Sequence, residues 1–401
     1  MKKNLAWKLK RELRRLGRQT LAVPRVAWEY TTLTIRYDIQ AARERKVHAG
    51  ERPQADEVAI YLIFPSKGVL ASHLDVLNQL TADGISPILV SNLKLSQQDL
   101  ATLKPLCTRI IERPNVGYDF GGYRDGVLNI ADDLTNIDRL YLLNDSCWMV
   151  DSQQSWFKSV RDANVDFCGA TAHYGIRPYR AHEFRDIDWT YTTHFSRFHY
   201  GSYALAMSTN ILRDPGFLKF WRNIRLSNDK NVTVRRGETG LTQWMLRRKR
   251  YSHVATCQTS DLGNEIEALS DDELDAVVRT LVLPAHPKIE AQRDDILKKS
   301  MSTPIGRFDR IKVILTAVSS QGMSYAMPYY NLRYRDFQFV KKSPLWLSQA
   351  GSDTMLALLD RLNGPMGRNA AREARTLRPG AWPIPTADTE ISSQMRNGRR
   401  G

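Results

Sequence analysis

Between Val58 and Asp145 short apolar runs alternate with segments of helical periodicity, and few architectures absorb such a pattern. "VAIYLIF", "ISPILVSN", "CTRIIE" and "RLYLLND" read as strands. Between the first two, "VLASHLDVLNQLTADG" reads as a helix, with Leu70, Leu74, Leu77 and Leu80 along one side and Gly84 closing it. "SQQDLATLKPL" reads as a second helix, with Ser96 and Asp99 suited to its start, and "RDGVLNIADDL" as a third. This alternation predicts a parallel sheet with covering helices, a Rossmann-like α/β layer. Such sheets take ligands at the carboxyl ends of their strands. Ser66–Gly68, Ser91–Asn92, Asn115–Gly126 and Asn144–Ser146 all fall on that rim.

Two of these rim segments carry chemistry. In "NVGYDFGGYRDG", Asn115–Gly126, glycines Gly117, Gly121 and Gly122 sit between a strand and a helix. They would let a ligand lie against the main chain near a helix N-terminus, where free N–H groups favour anions. Asp119 can accept a hydrogen bond from a ribose or base. The alternative is a plain strand-to-helix turn capped by Asp119 or Asp125. The phosphate-loop pattern GxxxxGK[ST] is absent. In "LLNDSCW", Asp145 between Asn144 and Ser146 could hold a divalent cation or a ribose hydroxyl, or bond its own turn.

Further on, His173–Tyr203 concentrates aromatics and four of the eight histidines. HExxH is absent, so zinc is not expected. Aromatic faces with polar tips suit sugar rings or a lipid headgroup, and a core-packing loop remains open. "VRRGETGLTQWMLRRK" places Glu238 at the entrance of a helix with Leu241, Trp244 and Met245 on its apolar face. That carboxylate is either a helix-start charge or, if it reaches the cleft, a general base.

Charge separates the ends of the chain from its body. The net charge is +15 over 401 residues, and residues 1–18 alone carry eight Lys or Arg against one Glu. Residues 366–401 carry seven Arg against three acids. Basic ends on a nearly neutral body fit an anionic membrane surface better than nucleic acid, which is not expected as a partner. "NLAWKLKRELRRLGRQ" places Leu5, Leu9, Leu13 and Leu16 on one face of a basic amphipathic helix, with Trp7 beside it. The first residues lack the apolar core of a signal peptide, and no run is long enough to span a bilayer. Cys107, Cys147, Cys168 and Cys257 show no paired spacing, as in a cytoplasmic protein.

The order of motifs says more than any one of them. "ERPNVGYDFGGYRDGV", "LYLLNDSCW", "FHYGSYALAMS…GFLKFW" and "GETGLTQWM" together resemble the rhamnan synthesis protein F family of bacterial polysaccharide glycosyltransferase-like proteins, from about Val58 to about His286. The resemblance implies a GT-A-type glycosyltransferase domain with a Rossmann-like α/β fold. It implies a nucleotide-sugar donor, dTDP-rhamnose at the family level, and a lipid-linked or polysaccharide acceptor of the cell envelope, such as lipopolysaccharide. It makes Asn115, Gly117, Asp119, Gly121 and Asn144 donor-site candidates. Asp145 stands where a metal-binding Asp-x-Asp motif would, so Mg²⁺ or Mn²⁺ is implied there, and its flanking Asn144 and Ser146 leave metal dependence open. Glu238 becomes the base of an inverting hexosyltransferase, with Asp145 assisting, and His199, Tyr200 and Ser202 become sugar or acceptor contacts. A non-catalytic glycan- or nucleotide-binding subunit is the alternative.

The expected organisation is a basic helical segment over residues 1–50 and the transferase domain over 55–310. An extension over 311–363 and a basic, mobile Pro/Gly-rich tail over 364–401 follow. The expected place of work is the inner face of the cell membrane, peripherally bound.

Overall fold

In the strand Glu57–Ile63, Val58, Ile60 and Leu62 point to one face and Ala59, Tyr61 and Ile63 to the other, all buried. A strand covered on both faces belongs inside a sheet flanked by two layers. The computed structural model describes residues 28, 31–284, 286–380 and 382, and it shows that arrangement. Residues 31–44 form helix α1, followed by β1 (Lys46–Ala49), β2 (Glu57–Ile63), α2 (Ala71–Ala82) and β3 (Ser86–Ser91). Next come α3 (Gln97–Leu103), β4 (Arg109–Glu112), α4 (Tyr118–Asn129), β5 (Arg139–Asn144), β6 (Cys147–Met149) and α5 (Trp156–Ala163). The later strands are β7 (Phe167–Gly169), β8 (Ala172–His173), β9 (His199–Tyr200), β10 (Ala204–Ser208), β11 (His253–Ala255) and β12 (Phe339–Lys341).

The main sheet has the order β1-β4-β3-β2-β5-β10-β7-β11. The four strands expected from the sequence, β2 to β5, are present and mutually parallel. The sheet as a whole is mixed, because β10 runs antiparallel to both β5 and β7, and β1 antiparallel to β4. The chain winds outward from β2 through β3 to β4, then returns to place β5 on the other side of β2. Open α/β sheets bind ligands at such a reversal. Val76, Leu77 and Leu80 of α2 and Phe157 of α5 cover one face, and Phe120, Tyr123 and Val127 of α4 the other.

Three expected boundaries move. The segment over 1–50 is not separate from the body in its described part. There α1 places Tyr37 in a buried hydrogen-bonded group with Asp125 and Arg113, and β1 completes the sheet edge. A boundary at 310 falls inside one helix, Pro304–Gln321, whose Val313, Ile314 and Ala317 share a core with Ala59 and Tyr61. The mobile tail expected from 364 instead begins with a helix, Pro365–Leu377. Pro365 starts it, and Ala370, Ala371 and Ala374 let it lie close over Trp148 and Val340. Its Glu373 accepts hydrogen bonds from Ser72 N at 2.8 Å, Ser72 Oγ at 2.7 Å and Trp148 Nε1 at 2.8 Å.

The amphipathic segment around Leu5–Leu16 and the last residues, 383–401, lie outside the described residues. All four cysteines are free and buried. No described helix is long and apolar enough to cross a membrane.

Candidate active site

The glycine-rich stretch opens α4 rather than forming a loop before it. Gly117 takes φ +83° at the helix cap, a conformation glycine adopts without strain, and its N–H donates to Asn228 Oδ1 at 3.0 Å. Gly122 and Gly126 face the sheet, where an added Cβ would come within 2.4 Å of Leu62 and 2.6 Å of Ile60. At Gly121 it would lie 2.1 Å from the carbonyl oxygen of Val116. At Gly121 and Gly122 the clearance expected for a ligand is therefore filled by the protein, and Gly122 and Gly126 seat α4 against β2. What the close seating achieves is the position of Asp119, in the first turn of α4. Asn115 lies on the exposed rim. Beside it Tyr118 is held at φ 49° with 44% of its surface exposed, a strained rim aromatic that periodicity did not single out.

From the end of β5, Asn144 Nδ2 donates to Asp119 Oδ2 at 3.0 Å, while Asn144 Oδ1 accepts from Ser146 N at 3.1 Å. Asp145 turns to the neighbouring strand end, where Oδ2 accepts the Phe64 N–H at 2.7 Å. The same oxygen is 3.5 Å from His73 Nε2. His73 Nδ1 accepts from Leu70 N at 3.1 Å, so Nε2 bears the hydrogen and faces Asp145 as a donor. Burial works to raise the Asp145 pKa, but His73, Lys342 and the Phe64 N–H outweigh it and hold the carboxyl below its usual range. Asp145 thus sits at the reversal between β2 and β5.

Glu238 comes from the opposite side, by a route the sequence reading missed. It was expected at a helix entrance. Instead Asp229 caps a helix at Lys230–Val234 that continues through a π-helical turn, Arg235–Thr239, into Gly240–Leu246. Glu238 therefore lies in a mid-helix bulge, a device common at functional sites, and has no N-terminal dipole to stabilise it. Gly237 makes room there, since a Cβ would lie 2.2 Å from Phe120.

Glu238 Oε1 accepts the Ser202 hydroxyl, and Ser202 N at 3.4 Å, while Oε2 lies 3.4 Å from His199 Nε2. His199 Nδ1 donates to the Arg197 carbonyl at 2.8 Å, so an ionised Glu238 favours a proton on the other nitrogen as well. Burial disfavours that second charge, but Glu238 and the Arg197 carbonyl prevail and raise the His199 pKa. The neighbouring His173, ring centroids 5.4 Å away, is driven down to about 3 by burial and by the His199 charge.

The two facing carboxyls are pushed apart. Burial raises Glu238, but its bonds to His199 and Ser202 dominate and bring it down to about 2. Asp119 rises to about 6, through burial and the charges of Glu238 and Asp145. Ser202 Oγ lies 3.5 Å from Asp119 Oδ2 and links the pair. The geometry therefore holds one carboxylate firmly ionised beside another that changes protonation near neutrality.

Of the residues expected in the site, Asp119, Asn144, Asp145, His199, Ser202 and Glu238 converge. Tyr200 does not: its ring packs with Phe167 and Phe198 in the core, and its hydroxyl bonds His253 Nδ1 at 2.8 Å. His199 and Tyr200 are neighbours in one strand, so their side chains face opposite ways. Sequence reasoning missed His73 and Lys341, and it named His173 only as part of its aromatic, histidine-rich stretch. Lys341, from the extension beyond residue 310, lies beside Ser146 with Nζ 3.4 Å from its hydroxyl.

The donor set is short for a protein-held cation. Asp145 is the one carboxylate of the Asn-Asp-Ser triplet, its Oδ2 is taken by Phe64 and His73, and Asn144 Oδ1 is taken by Ser146. Among the described residues no three His, Cys, Asp or Glu side chains group to hold a metal. Among the described residues the triplet by itself therefore supplies fewer ligands than a protein-held cation takes.

Comparison with known proteins bears on the family. Residues 87–282 match the family model described as rhamnan synthesis protein F, so the resemblance carried by the motifs holds across that segment. A curated protein of Sinorhizobium fredii, uncharacterized protein y4gN, is 32% identical over 241 residues. That alignment takes in 59% of this chain and 57% of the relative, so the chain spans little more than half the relative's length. Among solved structures, core-mannan synthase A of Aspergillus fumigatus in its Mn/GDP form is similar at TM-score 0.29 and 7% identity, over 49% of this chain and 71% of that one. A mannosyltransferase of Pyrobaculum calidifontis in complex with GDP-Man and Mn²⁺ is similar at TM-score 0.29 and 9% identity, over 94% of each chain. Both structural likenesses are too distant to bear on this site.

Proposed function

We propose that this relative of rhamnan synthesis protein F is an inverting glycosyltransferase that moves a sugar from a nucleotide-sugar donor to a growing envelope glycan. The observation that carries the reading is the convergence of Asp119, Asn144, Asp145, Ser202 and Glu238 at the reversal between β2 and β5. The rim residues Asn115 and Tyr118 would meet the nucleoside, the latter by stacking on its base. The acceptor hydroxyl would attack the anomeric carbon. The bond from that carbon to the diphosphate would break, its electron pair leaving on the diphosphate oxygen.

The acceptor proton needs a base with a pKa near the working pH. The sequence reading gave that role to Glu238, but a carboxylate near 2 holds a proton too weakly. Asp119, raised to about 6, is the better-matched acceptor. Glu238 then acts as the fixed negative charge that raises Asp119, steadied by His199 and Ser202. A rhamnose donor is the family-level reading.

Thermal stabilisation by a panel of nucleoside diphosphates and nucleotide sugars tests the reading, since a ligand of the folded state raises the midpoint with its concentration. One nucleotide giving a selective shift, and turnover with the matching sugar, is the expected result. Binding without turnover would favour a non-catalytic binding subunit, a reading that the single carboxylate of the Asn-Asp-Ser triplet also supports.

Work at an anionic membrane surface is the companion proposal. It is supported by the basic ends and by Ile35 and Ile39, a helical turn apart on α1 and 62% and 53% exposed. Flotation with anionic vesicles should fall when both isoleucines become glutamate, and equal flotation would sink the idea.

A further inference from the structure

Lys341 closes β12, and in the β12–β6 pairing it faces Cys147, next to the Asn-Asp-Ser triplet. Only 9% of its surface is exposed. Its Nζ has the Ser146 hydroxyl at 3.4 Å, the Tyr203 ring centroid at 3.9 Å and the Tyr325 ring centroid at 5.4 Å. An ammonium has three donors, and a buried charge is costly unless it is paired. Among the described residues no carboxylate lies within 4.0 Å of this one.

The adjacent Lys342 shows the contrast. Its Nζ is 3.8 Å from Glu373 and 3.4 Å from Ser72 Oγ, so its charge is spent inside the fold. Lys341 nonetheless keeps its proton. Burial works to remove it, but the acidic groups around it, Cys147, Tyr325, Glu238 and Asp119, prevail. A nearly buried cation, short of acceptors and facing the cleft carboxylates, is suited to an anionic ligand. The Asn-Asp-Ser triplet beside it offers one carboxylate, and among the described residues no three His, Cys, Asp or Glu side chains group to hold a metal.

We propose that Lys341 Nζ meets the donor's diphosphate and takes up the negative charge that grows on it during transfer. The inference rests on the transferase reading. As the bond from the anomeric carbon to the diphosphate oxygen breaks, both electrons go to that oxygen, and the ammonium stabilises it by hydrogen bonding. The acceptor oxygen makes the new bond and its proton goes to Asp119, so Lys341 is protonated before and after. Charge that a metal would bring to the triplet comes here from a strand almost two hundred residues later in the chain.

The test is calorimetric titration of the full chain with dTDP, UDP and GDP, in chelator and with Mn²⁺, alongside the parent nucleosides. The proteins are wild type, K341M, K341R and, as a control, K158M, whose lysine is exposed on α5. Wild type is expected to bind at least one diphosphate in chelator. K341M should weaken it by about tenfold or more without changing nucleoside affinity, K341R should restore part of the loss, and K158M should change nothing.

A K341M protein with the wild-type unfolding midpoint and undiminished diphosphate affinity overturns this inference alone. So does binding that appears only with Mn²⁺ and is indifferent to K341M. A wild type that binds none of the three diphosphates, with or without Mn²⁺, overturns the transferase reading as well. Should K341M fold poorly, reductive methylation of the wild type decides. The bound diphosphate is expected to protect Lys341 and not Lys158, and equal labelling with and without it overturns the assignment.

Discussion

Residues 57–145 and residues 304–377 reach the same cleft by opposite means. The first region sets Asp119, Asn144 and Asp145 at strand ends and a helix start through short connections within one run of chain. The second delivers Lys341 through a strand pairing 195 residues from Ser146, and Glu373 through hydrogen bonds 301 residues from Ser72. Asp119 and Asp145 are thus positioned locally, whereas Glu238 and the Lys341 charge reach them over long range. A chain cut after the first region would keep its carboxylates and lose their counterweight.

Three outcomes would break or sharpen this contrast. The largest effect is expected at the local acids, where D119N should lower sugar transfer by about 10²–10⁴-fold while the fold persists. Transfer within a factor of a few of wild type would remove Asp119 from the chemistry. Next is the long-range anchor, Glu373. Truncation to alanine strands Lys342, Trp148 Nε1 and Ser72 without their acceptor. Breaking one side of a buried ion pair costs about 3–5 kcal/mol, to be read from urea unfolding. A loss below about 1 kcal/mol would mean that the final helix is an accessory and not part of the core.

The smallest effect is a displacement of the rate–pH profile. Asp119 must be deprotonated to accept a proton, so the rate should rise with pH through about 6 and then level. Glu238 raises Asp119 by like charge, so E238Q should move that limb to lower pH. A limb that stays in place under E238Q would show that the two carboxyls do not share a field.

The local region was also the readable one. Strands β2 to β5 were legible because period-two and helical patterns alternate over short distances, and the rim residues followed from the ends of those strands. Asp119, Asn144 and Asp145 could be picked on that ground. What fills the space beside Gly122 comes from β2, and so the ligand clearance expected there was misread. Leu62 becomes its neighbour only after folding, whereas the Val116 carbonyl beside Gly121 is close in the chain.

Tyr200 was misassigned although its strand neighbour His199 was not, and the alternation of side chains along a strand could have separated them. Lys341 had a signal too. In "FQFVKK" it continues the alternation of Phe337 and Phe339, which marks it as a lysine on an apolar face. That face could not be matched to a site from sequence, because its partner strand, Cys147–Met149, is only three residues long.

The π-helical turn at Arg235–Thr239 makes the helix that carries Glu238 one residue longer than its axis requires. Remove a single codon from that turn and the chain can close into an ordinary α-helix, better bonded than before, with its residues rotated by about 100° relative to the rest. Glu238 would then swing away from Ser202 and His199. In genetic terms, an in-frame deletion that improves the helix would be a null allele for the site.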